Sequence, residues 1–151
     1  MIEKLYFAQK GFIIKDGRVL LIKKDERDPH QPGKWEVPGG RIKFGEDVGE
    51  HLKREIYEEV GLNVSVGRPF HVWQWQNKVM DGDIEIKRQI IAVARICQYI
   101  SGNVSFSGNV KDDFLDGEFC WVNPKEILGY NVIENMIPCI KDFLKFIGDD
   151  T

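Results

Sequence analysis

Apolar residues fall in short, strand-length runs over most of this chain and recur at helical spacing in two places. Leu5 to Ile14 is rich in strand formers, Lys15-Asp16-Gly17-Arg18 supplies turn residues, and Val19 to Ile22 returns, which predicts a hairpin. Lys24 to Gly33 is charged and carries Pro29 and Pro32, so it reads as a loop. Trp35-Glu36-Val37 predicts a short strand stopped by Pro38-Gly39-Gly40. Val48, Leu52 and Ile56 recur every fourth residue and predict the buried stripe of a helix over about 48–60. Asp47 is its N-cap, with Glu50 completing a capping box, and Gly61 stands where a left-handed residue ends a helix. Strand patterns follow at Val64 to Gln76, Ile84 to Ile100 and Glu118 to Val122. Val132 to Ile147 reads as a second helix, which Pro138 either kinks or truly starts.

Strands mixed with one central and one terminal helix predict an α/β fold with helices on both faces of a sheet, in one domain spanning 1–151. An opening hairpin argues against a doubly wound parallel sheet. The formal net charge of -3 excludes a protein that wraps a nucleic-acid polymer through a basic surface. Cys97, Cys120 and Cys139 are widely spaced and lack a CxxC pair, so buried thiols in a reducing cytosol are expected. The absence of a signal-like start or a long apolar run predicts a soluble cytoplasmic protein with no membrane partner, as a monomer or homodimer.

One feature conflicts with local helix rules. Glu55, Glu58 and Glu59 lie at i+3 and i+4 spacing on one face, in the last turns of the first helix. Like charges at these spacings, at the negative end of the helix, cost on the order of 1–3 kcal/mol in sum. Arg54 relieves part of that. Spacing alone leaves two readings: a solvated acidic face, or a site where a divalent cation such as Mg²⁺ or Mn²⁺ meets hard oxygen ligands.

The surrounding residues add to the second reading. Gly40, Glu46, Arg54, Glu55, Ile56, Glu58, Glu59, Gly61 and Leu62 match the pattern Gly-x5-Glu-x7-Arg-Glu-U-x-Glu-Glu-x-Gly-U, with U apolar, at every position. With about 7% for each fixed residue, a chance match at a given start is on the order of 10⁻⁸. This segment resembles the box of the Nudix hydrolases, MutT-like enzymes among them. The flanks Leu20 to Lys23, Trp35-x-x-Pro38-Gly39-Gly40 and Trp121 look like the family too. The resemblance implies a Nudix-type α/β/α sandwich with a mixed sheet, and Mg²⁺- or Mn²⁺-dependent hydrolysis of a diphosphate linkage in a small nucleotide. A nucleoside triphosphate yielding a nucleoside monophosphate and pyrophosphate is the first expectation. ADP-ribose or a nucleotide sugar is the alternative substrate, and a non-catalytic nucleotide-binding regulator the alternative class.

By the same resemblance Glu58, Glu59 and the Gly39 carbonyl are metal ligands. Glu55 either ligates metal or orients and deprotonates the attacking water. Arg54 holds the catalytic glutamate, Glu46 anchors Arg54, and Gly40 and Gly61 are structural. Asp112, Asp113, Asp116 and Glu118 are candidates for an extra ligand or base, each equally readable as a loop residue. Lys23, Lys24 and Arg88 are candidate phosphate contacts, Trp73, Trp75 and Tyr130 candidate stacking partners, and Asn131 a candidate base-edge reader. His51, one turn before Glu55, is read as a solvated or packing histidine rather than a catalytic one.

Overall fold

The computed structural model describes residues 1–106 and 115–149. Its first two strands, β1 (Ile2–Lys15) and β2 (Arg18–Lys24), meet at Asp16 and Gly17, whose φ values of 51° and 77° are the pair a type I′ hairpin turn requires. The two strands pair only at Ile14↔Val19 and Lys15↔Arg18 before they diverge. The gap that opens is filled by β4 (Gly39–Arg41), antiparallel to β1 from Ala8↔Arg41 to Lys10↔Gly39. On its other side β1 pairs in parallel with β6 (Ile84–Ser101) from Ile2↔Ile86 to Ile14↔Gln98. Beyond β6 lies antiparallel β5 (Asn63–Asp81), while β2 carries β3 (Trp35–Glu36) and β7 (Leu115–Val122). The sheet is therefore mixed, as expected.

Alternation along the strands separates two apolar faces. Ile13, Leu20, Ile22 and Cys97 face α1 (Val48–Val60), which contributes Leu52, Ile56 and Val60. Phe12, Val19, Leu21 and Ala94 face α2 (Ile137–Asp149), which contributes Ile140 and Phe143. One helix on each face makes the α/β/α sandwich.

The ends of α1 match the expected caps. Asp47 accepts from the backbone N–H groups of Gly49 and Glu50 at 3.1 Å each, and Gly61 takes φ 74° with its N–H on Tyr57 O at 2.9 Å. Glu50 turns its carboxylate to Lys53, 3.6 Å away, so only the Asp47 half of the capping box is made. An Asp47→Ala variant is expected to lose about 1 kcal/mol of stability, read as a lower denaturant midpoint at unchanged m-value.

Three details differ from the sequence reading, and one alternative is decided. Val48, the first residue of α1, is 48% exposed, and its carbonyl accepts from Gln9 Nε2 at 2.6 Å. Gly39 to Arg41 is a strand, not a stop. Of the two readings of Pro138, the start is borne out: the last helix begins at Ile137 after a 3₁₀ turn over Glu134–Met136, with Pro138 in its first turn, where a missing N–H costs nothing. β5 and β7 extend past the predicted runs.

Candidate active site

Gly39 and Gly40 bring β4 against the acidic end of α1. Gly39 has φ 150°, and a Cβ there would lie 2.1 Å from Gln9 O and 2.8 Å from Lys10 Cα. Only glycine lets this strand approach β1 so closely. A Cβ on Gly40 would fall 2.5 Å from Glu55 Oε2, so the missing side chain is the space that the carboxylate occupies. The buried carboxylate of Glu59, with the residue 6% exposed, accepts from Gly39 N–H at 3.1 Å.

Arg54 is the hub of the remaining acids. Its Nε and Nη2 form a fork with Glu46 at 2.7 and 2.8 Å, Nη1 donates to Glu58 at 2.9 Å, and Nη2 lies 3.1 Å from Glu55 Oε1. The bidentate bond, joined by Lys43 N–H, holds the Glu46 carboxyl at about 2. That contribution to stability is complete above the ordinary carboxyl value of 4.5 and is lost as pH falls from there toward about 2. One guanidinium contacts the three carboxylates of Glu46, Glu55 and Glu58, while Glu59 accepts from the Gly39 N–H. Arg54 and the Gly39 N–H hold these carboxylates apart, and among the described residues no three acidic, His or Cys side chains converge as a preformed cation cage. The set is nevertheless one of hard oxygens, and the Glu55 cradle is built by a glycine.

His51 lies behind this face, fully buried between α1 and β4. The Gln9 amide donates to its Nδ1 at 2.9 Å, which leaves the ring proton on Nε2. Burial pushes the imidazole below its usual range and keeps it neutral. It is a packing residue, not a solvated one.

A cleft of about 400 Å³ opens on the other side of Gly40. Lys10, Lys24, Arg41, Arg88 and Trp75 line it, and an adjoining hollow of about 420 Å³ continues to Trp73, Ile133 and Asn135. The two indoles stand 6.1 Å apart at 32°, Arg41 stacks 4.2 Å over Tyr6, and Arg88 is steadied by donating to Asn77 Oδ1 at 2.7 Å. Among the candidates named from sequence, Lys24, Arg88, Trp73 and Trp75 meet here. The others are elsewhere. Lys23 is turned to Glu118 at 3.0 Å and Asp116 at 3.6 Å, so these three satisfy one another on β2 and β7. Asn131 accepts from Lys34 Nζ at 3.0 Å, and Tyr130 packs edge-on to Trp35, neither of them lining the cleft. Asp112 and Asp113 lie outside the described residues. Sequence reasoning missed Lys10, Arg41 and Asn135; the basic residue just after Gly39-Gly40 was a signal for the second.

A mixed sheet between two helices forms an α/β/α sandwich in which an acidic helix end and a basic cleft meet at Gly40. Residues 10–143 match the family described as the NUDIX domain. The chain belongs to the Nudix family, as a MutT-like Nudix hydrolase acting on nucleoside diphosphate-linked small molecules, in a family that generally uses divalent metal ions. The nucleoside triphosphatase NudI of Salmonella paratyphi B is 30% identical over 127 residues, 80% of this chain and 83% of that protein. The MutT protein of Methanosarcina mazei Go1 superposes with a TM-score of 0.71 at 22% identity, covering 100% of this chain and 99% of the other. An ADP-ribose pyrophosphatase of Streptococcus suis does so with 0.58 at 16%, covering 90% of each, so both structures speak for the fold alone. No helix among the described residues is long and apolar enough to cross a membrane.

Proposed function

We propose that this chain hydrolyses nucleoside triphosphates to a nucleoside monophosphate and pyrophosphate, with Mg²⁺ as its cation. The observation that carries the reading is Gly40, shared by the Glu55 cradle and the basic, tryptophan-lined cleft. A phosphate chain lying in the cleft therefore passes beside the carboxylates. Glu55, Glu58, Glu59 and the Gly39 carbonyl are the groups that would hold the cation. When bound, a divalent cation there neutralises charge on the phosphate chain and activates water. Glu55, beside Gly40, is the group that would orient or deprotonate the attacking water, held by Arg54, which Glu46 in turn anchors. Water adds its oxygen to one phosphorus, one anhydride P–O bond breaks, and the proton leaves through the base. Trp73 and Trp75 offer aromatic faces to the base. The description of the 30% identical relative as a nucleoside triphosphatase supports the substrate class.

The test is a panel of nucleoside triphosphates, ADP-ribose, nucleotide sugars and dinucleoside polyphosphates with Mg²⁺, with products identified. Monophosphate and pyrophosphate in equal amounts, lost on EDTA and restored by Mg²⁺, are expected. Preference for ADP-ribose overturns the substrate, binding without turnover overturns catalysis, and indifference to EDTA overturns the cation.

A further inference from the structure

β5 is the last strand of the sheet, pairing with β6 on one side and with no strand among the described residues on the other. Such an edge presents a row of main-chain N–H and C=O groups that can pair with another chain, and folds usually blunt it with bulges, prolines or charge. In β5 the blunting is confined to the first half. Pro69 and the register shifts all fall between Asn63 and His71, and α2 covers Phe70 and His71 through Phe143, Phe146 and Asp142. From Val72 to Asp81 the ladder is unbroken, from Val72↔Val93 to Asp81↔Ile84, and the run holds no proline or glycine.

Alternation sorts this run into two faces. Trp73, Trp75, Asn77 and Val79 line the cleft and its adjoining hollow, whereas Val72, Gln74, Gln76, Lys78 and Met80 point the other way and are exposed. Lys78, the one charge among the outward residues, is already matched by Glu85 at 3.3 Å. Val72 and Met80 are each 64% exposed, and they stand at equal distances along the strand on either side of Gln76.

That symmetry makes the run its own complement. Two copies paired antiparallel about a twofold axis at Gln76 set Val72 against Met80, Trp73 against Val79, Gln74 against Lys78 and Trp75 against Asn77, and every contact is made twice. A twofold at Trp75 would instead set Val72 against Lys78, and one at Asn77 would set Trp73 against Asp81, so apolar matching singles out Gln76. In the same register the Asp81-Gly82-Asp83 turn of one copy reaches exposed Arg68 and His71 of the other, the histidine already facing Asp142. Acid meets base at both ends.

We infer that a second copy of this chain docks on the outer edge of β5, antiparallel about a twofold at Gln76, so that two sheets join into one. The pairing gives the outward main-chain groups of Val72 to Asp81 their partners and covers Val72 and Met80. It also lays Asn77 and Val79 of the second copy beside Trp75 and Trp73, which extends the tryptophan wall of the hollow. A run this short makes an interface at the small end of the range, so the dimer dissociates on dilution. The inference does not depend on which nucleotide the chain takes.

The test is sedimentation velocity over a dilution series, with hydrogen exchange, on the wild-type chain and two double variants at exposed positions outside the cleft, each checked by thermal melting. Wild type is expected to pass from the mass of one chain to that of two as concentration rises, while the amides of Val72 to Asp81 slow in parallel. Val72→Lys/Met80→Lys sets like charges opposite each other at both ends and is expected to weaken association about tenfold or more. Val72→Glu/Met80→Lys sets Glu opposite Lys in that register and is expected to associate about tenfold more tightly than the double-lysine variant. A wild type of single-chain mass at every concentration overturns the inference. So does a dimer that the double-lysine variant keeps, which would sit on another face, and one that both variants lose alike, which would pair in another register. If either variant does not fold, the wild-type exchange pattern decides, and protection on association that falls outside Val72 to Asp81 overturns the inference.

Discussion

Glu55→Gln is expected to lower kcat by about 10²–10⁴-fold, the range over which a positioned acid or base contributes. The amide keeps the size and most of the hydrogen-bonding reach of the carboxylate, so it still fits the space left by Gly40. What it loses is the negative charge and the ability to take a proton. Nucleotide affinity should stay within a few-fold, because the cleft residues Lys10, Lys24, Arg88, Trp73 and Trp75 are untouched. The fold should be as stable as before or slightly more so, since one of four clustered anions is gone while Arg54 keeps its fork to Glu46 and its bond to Glu58. Single-turnover kinetics with a triphosphate, together with a binding isotherm, check both halves. A kcat within threefold of wild type removes Glu55 from the chemistry, and loss of binding with kcat intact makes it a ligand-positioning group instead.

The first helix is legible in the sequence because it declares itself locally. Asp47, the apolar residues Leu52 and Ile56, and Gly61 each act within a turn or two of their own position, and the helix runs over Val48–Val60 as its spacing predicts. The Asp16-Gly17 turn is local in the same sense. Where contacts join distant parts of the chain, the sequence is silent. Nothing in Lys10, Glu36 and Lys24 announces that β1, β3 and β2 will bring them together, because the divergence of the first hairpin and the parallel β1–β6 pairing are tertiary events. Gly39 and Gly40 were legible as a motif but not as a strand, since two glycines carry no strand propensity and the pairing with β1 depends on their lack of side chains. Lys23 and Lys24 look equivalent in sequence, and the alternation of β2 turns them to opposite faces and different partners. Val48 fits the every-fourth-residue spacing and still ends half-exposed, because it stands at the very first position of the helix.

The same two glycines give the sharpest separation of stability from reaction. Gly39→Ala places a methyl 2.1 Å from Gln9 O and 2.8 Å from Lys10 Cα, both backbone atoms of a central strand, at a φ of 150° that an L side chain rarely adopts. Neither neighbour can rotate away, so β4 must leave β1 or the strand must bend. The strained conformation alone costs about 1–3 kcal/mol, and with the overlap the loss should reach on the order of 4 kcal/mol, a large part of a typical domain's stability. For a chain of this length that is a melting point lower by about 10 °C or more. Gly40→Ala also makes a close contact, 2.5 Å, but with Glu55 Oε2, the free end of a flexible side chain, and Gly40 has no positive φ to violate. The carboxylate moves aside, the melting point changes by about 2 °C or less, and kcat falls about 100-fold because a displacement near 1 Å is enough to spoil alignment. Melting curves and kcat for the two variants side by side check the argument: equal losses of stability would mean that Glu55 is not seated against Gly40, and a Gly39→Ala protein that melts like wild type would mean that β4 is not held against β1 as described.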